Sequence, residues 1–393
     1  MKMQPQTYRL RLQTVSPVHI GNGDTITALS YLLDGGKVHV LDADKFFAAL
    51  DEAQRDAYVR WLDTQLRGQG QNNPSVRNFL EQRVHLRNIA EFVAKVSGYS
   101  VTLQADPGIT ARGIRQHIQT PQHQPYIPGS TLKGAMRTAL IEALLDDDAS
   151  YNWLRQRFEQ LQVKNDERDM KRALADIWKS LEAKLLRGGQ DEAHFDFLRF
   201  IAVSDTAPFP TGALSVRLTR SEGTTRTTST WIETIPPDQT TTLTLTFYPN
   251  APLDSLRLDE ALRDYLTIDK LFAVLHQRAK RRLEEEAKYR AQNKPLPRIA
   301  ELQALNQPDA PLLRIGAGQG YLGTTVMGTI KRRDPQLYRD KVVPGVKVTL
   351  GRRGANVQTQ NFPKTRRTVR DNESQHQAQS EDLLGWVKLQ RML

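Results

Sequence analysis

The chain contains no cysteine, which excludes disulfide bonds and thiolate metal sites and agrees with a reducing compartment. No apolar run approaches the roughly 20 residues that a membrane-spanning helix needs. The opening segment MKMQPQTYRL also lacks the apolar stretch of a signal peptide. We therefore expect a cytoplasmic protein that does not enter the membrane.

Motifs of several enzyme classes are missing as well. The lysine of GSTLKGA stands at the wrong position for a P-loop, and no nucleophile elbow of the form G-x-S-x-G occurs. The histidines lack the close spacing of metal ligands, and the stacking aromatics of the RNA-recognition consensus are absent. These absences predict no metal and no cofactor, and they argue against base recognition through such aromatics.

Positive charge, by contrast, is present in excess. The 393 residues include 55 Lys and Arg against 44 Asp and Glu, which gives a formal net charge of +11 and a pI near 9.7. Because contacts between cations and phosphates release the counterions condensed on nucleic acid, this balance favours a nucleic-acid partner. An anionic membrane surface fits less well, since no basic amphipathic segment carries aromatic anchors on its apolar face.

Hydrophobic patterns along the chain predict an α+β protein. Residues 8–15 alternate like a strand, and KVHVLD reads as a second strand. Helical patterns occupy most of the first half, whereas Thr-rich segments such as ALSVRLTR and TTTLTLTFYP read as strands of the second half. We predict an N-terminal domain at 1–200, with helical insertions at about 44–97 and 146–190, and a C-terminal domain at 201–393.

A charged helix is predicted from about residue 256 to residue 292. In this helix the basic run KRR at 280–282 stands four residues before the acidic run EEE at 284–286. Residues at this spacing are neighbours on a helix surface and can form ion pairs with each other. We interpret this surface as a solvated face of the helix.

The stretch PYIPGSTLKGAMRTAL, residues 125–140, predicts a helix with an unusual first turn. A Pro-Gly turn precedes Ser130, a favoured N-cap residue, and the apolar residues that follow keep a helical stripe. Lys133 then stands where the helix dipole disfavours a cation by about 0.3–1 kcal/mol. A phosphate on the free amides of the first turn, within reach of Lys133 and Arg137, would reverse that preference. The alternative is a surface helix with two solvated cations.

The loop SPVHIGNGD, residues 16–24, places His19 among turn residues. Gly21 and the residues after it can present successive backbone amides as an anion-binding nest. A second role considered for His19 is that of general base in RNA cleavage. The third interpretation is structural, since a lone histidine between two apolar residues is often a packing or contact residue.

The segment GQGYLG, residues 318–323, matches the dinucleotide-binding pattern, and Asp340 follows about twenty residues later. Its surroundings differ from that motif, because β-branched residues stand at the expected helix start and no β-α-β series surrounds it. A loop that follows a phosphate backbone fits this segment better. An NADP-dependent oxidoreductase is the alternative.

The segment NFPKTRR, residues 361–367, places three cations behind a proline. Proline favours an extended backbone around it, so Lys364, Arg366 and Arg367 are well placed to lie along a phosphodiester chain. We predict that this segment contacts phosphates.

Four segments stand in a fixed order: SPVHIGNGD, YIPGSTLKGAMRTAL, RIGAGQGYLGTT and FPKTRR, with IAVSDTAPF between the second and the third. This combination resembles the repeat-associated mysterious proteins (RAMPs) of CRISPR systems. The second segment is typical of that superfamily. The last two segments resemble the subunit that caps the backbone filament of the type III-A Csm effector complex.

The resemblance implies two ferredoxin-like domains of the RNA-recognition type with helical insertions. It implies that the protein binds CRISPR guide RNA near its 3′ end and supports assembly or maturation of the complex. The implied partners are the guide RNA, target RNA, and the backbone and small subunits of the Csm complex. Target cleavage in such complexes belongs to the repeated backbone subunit, so no catalytic residue is predicted.

The resemblance also implies RNA contacts at positions spread along the chain, to which we add the predicted N-cap Ser130. These positions are His19, Gly21, Ser130, Lys133, Arg137, Gly318, Gln319, Tyr321, Lys364, Arg366 and Arg367. Asp205, in IAVSDTAPF, is expected to be structural. The alternative within the same superfamily is an endoribonuclease that processes guide RNA, with His19 as base and Lys133 as oxyanion stabiliser.

Overall fold

The structure is a computed structural model. It describes residues 4–67, 74–104, 113–223, 229–291, 294–351, 354, 357, 362–371 and 380–392. Within these residues, no helix combines the length and the apolar character needed to cross a bilayer.

Strands and helices alternate along the described chain. The strands are β1 Gln6–Thr14, β2 Gly21–Ile26, β3 Tyr31–Asp34, β4 Lys37–Leu41, β5 Ser97–Leu103, β6 Ile114–His117, β7 Ile201–Val203, β8 Ser215–Glu222, β9 Ser229–Thr234, β10 Thr240–Phe247, β11 Arg290–Ala291, β12 Lys294–Pro295, β13 Leu312–Arg314, β14 Arg366–Asp371, β15 Ser380–Leu383 and β16 Trp386–Arg391. The α-helices are α1 Ala43–Ala48, α2 Glu52–Leu66, α3 Val76–Phe79, α4 Ile89–Val96, α5 Gly129–Leu144, α6 Asp148–Glu159, α7 Glu167–Leu186, α8 Ile268–Lys288, α9 Ile299–Leu305, α10 Gly320–Thr324, α11 Met327–Arg333, α12 Pro335–Leu337 and α13 Val343–Thr349.

Most strands belong to two sheets. An antiparallel five-stranded sheet has the order β13-β16-β1-β10-β7. A nine-stranded sheet runs β2-β6-β9-β8-β5-β4-β3, with β14 and β15 continuing beside β8. The predicted mixture of helices and strands is confirmed. Each sheet takes strands from both sides of residue 200, so the two sheets do not correspond to the segments 1–200 and 201–393.

The five-stranded sheet is built on the alternation seen in β1. Leu10 and Leu12 are fully buried, and they pair across the sheet with residues of β10 and β16. Helices α5 and α8 contribute Met136 and Leu271 to the same hydrophobic core. Each such fully buried side chain contributes about 1.5–3 kcal/mol by leaving water, which fixes the helices against this face of the sheet.

The segment after β4 forms a small helical lobe with its own core. Phe46, Tyr58, Phe79 and Phe92 are buried together in a cluster separate from the main core. Their rings meet edge to face, for example at 4.9 Å between the centroids of Tyr58 and Phe79, an arrangement that aromatic pairs prefer.

The interpretation of a solvated face on α8 fits Lys280 and Glu284, which are exposed, but it is wrong for the other residues of the two charged runs. Arg281 donates to Asp146 at 2.7 Å, and Arg282 pairs with Glu142 of α5. Arg278 also lies 3.4 Å from Glu142, whose side chain is only 2% exposed. The basic residues of α8 therefore bind acidic groups at and just after the end of α5, and they hold the two helices together.

Candidate nucleic-acid interface

Helix α5 begins two residues earlier than the sequence predicts. Its first residue is Gly129 and its N-cap is Pro128, so Ser130 lies exposed inside the first turn and is not the cap. The amide of Gly129 donates to Oδ1 of Asp205 at 2.7 Å. A Cβ at Gly129 would lie 2.3 Å from the carbonyl oxygen of Val203. The prediction that all amides of the first turn are free for a phosphate needs correction. The carboxylate of Asp205 already accepts the hydrogen bond of the first amide.

Asp205→Ala is expected to lower the free energy of unfolding by about 1 kcal/mol, because it leaves the first amide of α5 without its acceptor. The midpoint of urea unfolding measures this loss. Ser130→Ala is the matched control, with an expected change below about 0.5 kcal/mol. A larger loss for Ser130→Ala than for Asp205→Ala would contradict this assignment of the cap.

Lys133 and Arg137 differ in their surroundings. Arg137 pairs with Asp196, which also accepts from Nε of Arg187 at 3.1 Å. Arg137 is therefore held by the protein, contrary to the expectation of a freely available cation. Lys133 is half-buried, has no ion-pair partner among the described residues, and its pKa is lowered by burial. Lys133 is the cation of this helix that has room for an external anion.

A pocket of about 420 Å³ adjoins these two side chains. Its lining includes four cationic residues and a single carboxylate: Lys133, Arg137, Arg187, Arg199 and Asp196. Ser130 and Gly134 form the helix side of the pocket, and a Cβ at Gly134 would meet nothing within 4 Å. The pocket is thus open to a backbone that approaches the helix.

The loop around His19 and the Gly-rich loop after β13 are locked together. The amide of Ala317 donates to the carbonyl oxygen of His19 at 2.9 Å. Gly316 has a φ of +63°, and a Cβ there would lie 2.2 Å from the same oxygen. Gly385, just before β16, joins the two loops, since its amide donates to the carbonyl oxygen of Pro17 at 2.9 Å and its own carbonyl oxygen accepts from the amide of Ile315 at 2.8 Å. The two loops, about 300 residues apart in sequence, therefore form one packed unit.

The imidazole of His19 lies inside this unit. His19 is only 5% exposed, and its Nδ1 donates to the carbonyl oxygen of Glu233 at 2.7 Å. Burial lowers its pKa, and the nearby Arg115 and Arg367 lower it further. The neighbouring His117, 6.0 Å away between ring centroids, has a pKa lowered by burial to about 3. The imidazole of His19 is therefore covered by protein, which argues against both roles predicted for its ring.

Gly21 opens strand β2 and is exposed. A Cβ at this position would lie 3.3 Å from Nε2 of His19. The residue therefore covers the buried ring while leaving its own backbone at the surface. An anion that approached this loop would meet the Gly21 backbone before it met the imidazole.

Arg115 is a cation that the sequence reasoning missed. It is exposed on β6, and its positive charge lowers the pKa of both His19 and Arg367. Strand pairing places the two arginines on the same face of the nine-stranded sheet, because Arg115 pairs with Ile232 of β9, Ile232 with Arg217 of β8, and Arg367 with Ser221 of β8. No local sequence pattern marks Arg115.

The Gly-rich loop is held by its own side chains. Gln319 donates to the carbonyl oxygen of Gly316 at 3.2 Å, and the ring of Tyr321 contacts Phe362 at 5.1 Å between centroids. A Cβ at Gly318 would lie 2.6 Å from Cβ of Leu384. These three predicted contact residues therefore fix the loop. The strand before the loop, β13, pairs antiparallel with β16, so the β-α-β context of a dinucleotide site is absent from this region.

The three cations of FPKTRR separate into two groups. Arg366 is 8% exposed, pairs with Glu286 at 2.5 Å and lies over the ring of Tyr289 at 4.4 Å. Its predicted role as a phosphate ligand is wrong for this structure, because the guanidinium is buried in the core. Lys364 is exposed, and Arg367 is half-buried with no ion pair among the described residues. Burial and the nearby Arg115 lower the pKa of Arg367.

Other basic runs are neutralised within the chain. Lys331 pairs with Glu285, Arg332 lies 3.6 Å from Asp146, and Arg333 pairs with Asp148. Four cations at the motifs lack such partners among the described residues: Arg115, Lys133, Lys364 and Arg367. We call these four residues the basic track. In this region of the described chain, these four cations are available to an external anion.

Direct contacts connect the four motif segments. The Gly-rich loop contacts the His19 loop through Ala317 and the FPKTRR segment through Tyr321. It also approaches α5, because Gln319 and Ala135 line the same small cavity. Segments from remote parts of the sequence therefore assemble into one region.

A family model of the RAMP superfamily matches residues 11–291, which is more than half of the chain. The chain belongs to the RAMP superfamily. The resemblance that the four motifs indicate is thereby confirmed at the level of the superfamily.

Individual relatives point to one member of this superfamily. The chain is similar to the CRISPR system Cms protein Csm5 of Streptococcus thermophilus, with 28% identity over 141 residues, covering 36% of this chain and 40% of that protein. It is similar to the protein of the same name from Methanocaldococcus jannaschii, with 25% identity over 200 residues, 51% of this chain and 43% of the relative. The matched segments span less than half the length of these curated relatives.

Solved structures share the fold over nearly the whole chain. A chain in the cryo-EM structure of a Csm-crRNA-target RNA ternary complex of a type III-A CRISPR-Cas system matches with a TM-score of 0.69 and 23% identity, covering 98% of this chain and 100% of that chain. The crystal structure of T. onnurineus Csm5 matches with a TM-score of 0.62 and 18% identity, covering 96% and 99%. The chain therefore has the fold of these proteins.

Proposed function

We propose that the protein is a non-catalytic RNA-binding subunit of a type III-A Csm effector complex. In this role it caps the backbone filament near the 3′ end of CRISPR guide RNA and supports assembly or maturation of the complex. The observation that carries the proposal is that the four RAMP motif segments lie against one another, in a region where Arg115, Lys133, Lys364 and Arg367 have no ion-pair partner among the described residues. The relatives named Csm5 and the structural neighbour in a complex with crRNA and target RNA support the same role.

The chemistry of the basic track favours binding through the sugar-phosphate backbone. Its members are Lys and Arg, and the backbone near Gly21 and Gly134 is exposed. Such groups position a strand without reading its sequence. Guide bases would then stay free to pair with target RNA.

The same proposal extends to the architecture and the partners. We propose that the chain contains two ferredoxin-like units, at 1–200 and 201–393, with helical insertions at about 44–97 and 146–190. The partners are guide RNA, target RNA, and the backbone and small subunits of the complex. A scaffold role fits better than an endoribonuclease role, because the only base proposed for cleavage, His19, is 5% exposed.

Replacing Lys133, Arg115 and Arg367 together by Ala is expected to weaken binding of guide RNA and of unrelated single strands alike. Each lost phosphate contact lowers the slope of log K against log salt concentration by about 0.7 for a single strand, so the triple variant should lose about two units. Fluorescence anisotropy at several salt concentrations measures the slope. Complexes purified with this variant should also contain less guide RNA.

The control replaces three exposed cations that lie outside the motifs, Arg60, Arg83 and Lys280, by Ala. This control removes the same net charge and should change the slope by much less. Equal slopes for the two triple variants would contradict the basic track. Guide cleavage by the purified wild-type chain would contradict the non-catalytic role.

A further inference from the structure

On the side of the five-stranded sheet away from α5, helices α8 and α9 cover only the β13 end, where Leu312 and Trp386 are buried. Strand pairing places ten side chains on the uncovered part of this face: Thr7, Arg9, Arg11 and Gln13 of β1, Thr240, Thr242, Thr244 and Thr246 of β10, and Lys388 and Gln390 of β16. We call these ten residues the open sheet face. The intervening residues, such as Leu10 and Leu243, point to the core that α5 and α8 share. The open sheet face therefore lies on the side of the sheet away from α5.

Charge on the open sheet face has a single sign. Arg9 and Arg11 are exposed and Lys388 is half-buried, and none of them has an ion-pair partner among the described residues. No Asp or Glu is among the ten residues. One carboxylate stands at the rim, where Asp238 accepts from Nε2 of Gln13 at 3.4 Å. This arrangement contrasts with α8 and α11, whose cations are matched by carboxylates.

The remaining members of the face are hydroxyls and amides. Thr244 pairs with Arg9, and Thr242 pairs with Arg11, so each guanidinium has a threonine beside it. Arg, Lys, Thr and Gln are side chains that proteins use to contact phosphate and sugar oxygens. The donor set of the face therefore matches the oxygens of a nucleic-acid backbone.

The face offers little to a protein partner. Stable protein interfaces depend on a buried centre of aromatic or aliphatic anchors. None of the ten residues of the open sheet face is aromatic or aliphatic, and the ring of Tyr8 turns to Phe247 on the core side. A nucleic-acid strand fits this composition, whereas a protein would bind it only through polar rim contacts.

We propose that the open sheet face binds a single-stranded nucleic acid through its phosphates, as a second site on the side of the sheet opposite to Lys133. Arg9 and Arg11 are two residues apart on one strand, about 6.8 Å along it, so they contact different parts of the bound backbone. The absence of aromatic side chains predicts little preference among bases. RNA and DNA strands share this phosphate chemistry, and the proposal covers both.

The test compares the wild-type chain with R9E/R11E and with a charge-matched control, R60E/K280E, whose two sites are exposed and distant in sequence from the sheet. Native mass spectrometry with a short uridine oligonucleotide and its DNA counterpart gives the number of strands bound. We expect the wild type and the control to bind two strands each, and R9E/R11E to bind one. In R9E/R11E the affinity for the second strand should fall at least about tenfold. The neutral variant R9Q/R11Q should show the same loss to a smaller degree.

Different outcomes separate this site from the basic track. The triple Ala variant of the track should retain the strand on the open sheet face, even if the proposed function fails. Tighter binding of RNA than of DNA would support the site and indicate that its side chains also contact the ribose hydroxyls. Equal binding of RNA and DNA would support the site and indicate contacts to phosphates alone. Equal losses in R9E/R11E and the control, or a single strand on the wild type that R9E/R11E retains, would overturn the proposal. It would also be overturned if R9E/R11E bound both strands and instead lost a neighbouring protein subunit.

Discussion

Glu286→Ala is expected to lower the free energy of unfolding by about 3–5 kcal/mol, the largest loss that we predict for a single side chain. Glu286 accepts from Arg366 at 2.5 Å and lies 3.4 Å from Arg314. The side chains of all three residues are less than 10% exposed. Removing the carboxylate leaves two buried guanidinium groups without a counter-charge.

The two guanidinium groups have no easy route to water. Arg366 lies over Tyr289 at 4.4 Å, and Arg314 lies over Trp386 at 5.5 Å. Aromatic faces stabilise cations only by about 0.5–2 kcal/mol, which does not replace the lost ion pairs. We therefore expect the FPKTRR segment and the end of β13 to separate from α8 in the variant.

Urea unfolding followed by tryptophan fluorescence measures this effect, and Trp386 provides a probe beside the site. Glu284→Ala is the matched control, because Glu284 is exposed on the same helix without an ion pair among the described residues. Its expected change is within about 0.5 kcal/mol. Equal stability of the two variants would show that Glu286 does not stabilise the buried ion pairs with Arg314 and Arg366.

Gly316→Ala is expected to lower the free energy of unfolding by more than about 3 kcal/mol. The backbone φ of +63° costs an L-residue about 1–2 kcal/mol. A Cβ would also lie 2.2 Å from the carbonyl oxygen of His19, where the amide of Ala317 already donates. The Gly-rich loop must then move away from the His19 loop, and the hydrogen bond between them is lost.

Gly320→Ala separates the two contributions. Gly320 has a φ of +66°, but a Cβ there would meet nothing within 4 Å, so only the conformational cost of about 1–2 kcal/mol applies. Thermal unfolding of both variants gives the comparison. If Gly320→Ala were as destabilising as Gly316→Ala, the close contact of Gly316 with His19 would make no measurable contribution to stability.

Much of the local structure is predictable from the sequence. The alternation in β1 and the β-branched runs of β8 and β10 give strands because each has a period of two. The apolar stripe after Gly129 gives α5. The start of α5 is missed because its capping carboxylate, Asp205, lies 76 residues away along the chain.

The roles of the cations are much less predictable. Arg366 and Arg367 are adjacent in a basic run, yet one is buried against Glu286 and the other is half-buried without an ion pair among the described residues. The alternation of β14 sends their side chains to opposite faces, and only the tertiary structure shows which face is covered. Arg115 is missed for the same reason, because its neighbours come from other strands. A count of charged residues gives the net charge of the chain, but it does not give the fraction of cations that have no ion-pair partner in the folded protein.

The pairing of β1 with β16 has a consequence for how the chain is made. One of the two neighbours of β1, strand β16, is synthesised about 370 residues after it. Contacts between such distant segments form late, because a large loop must be closed first. The edge of β1 that β16 covers therefore stays unpaired while the intervening residues are made, and it is the kind of strand edge that a chaperone shields.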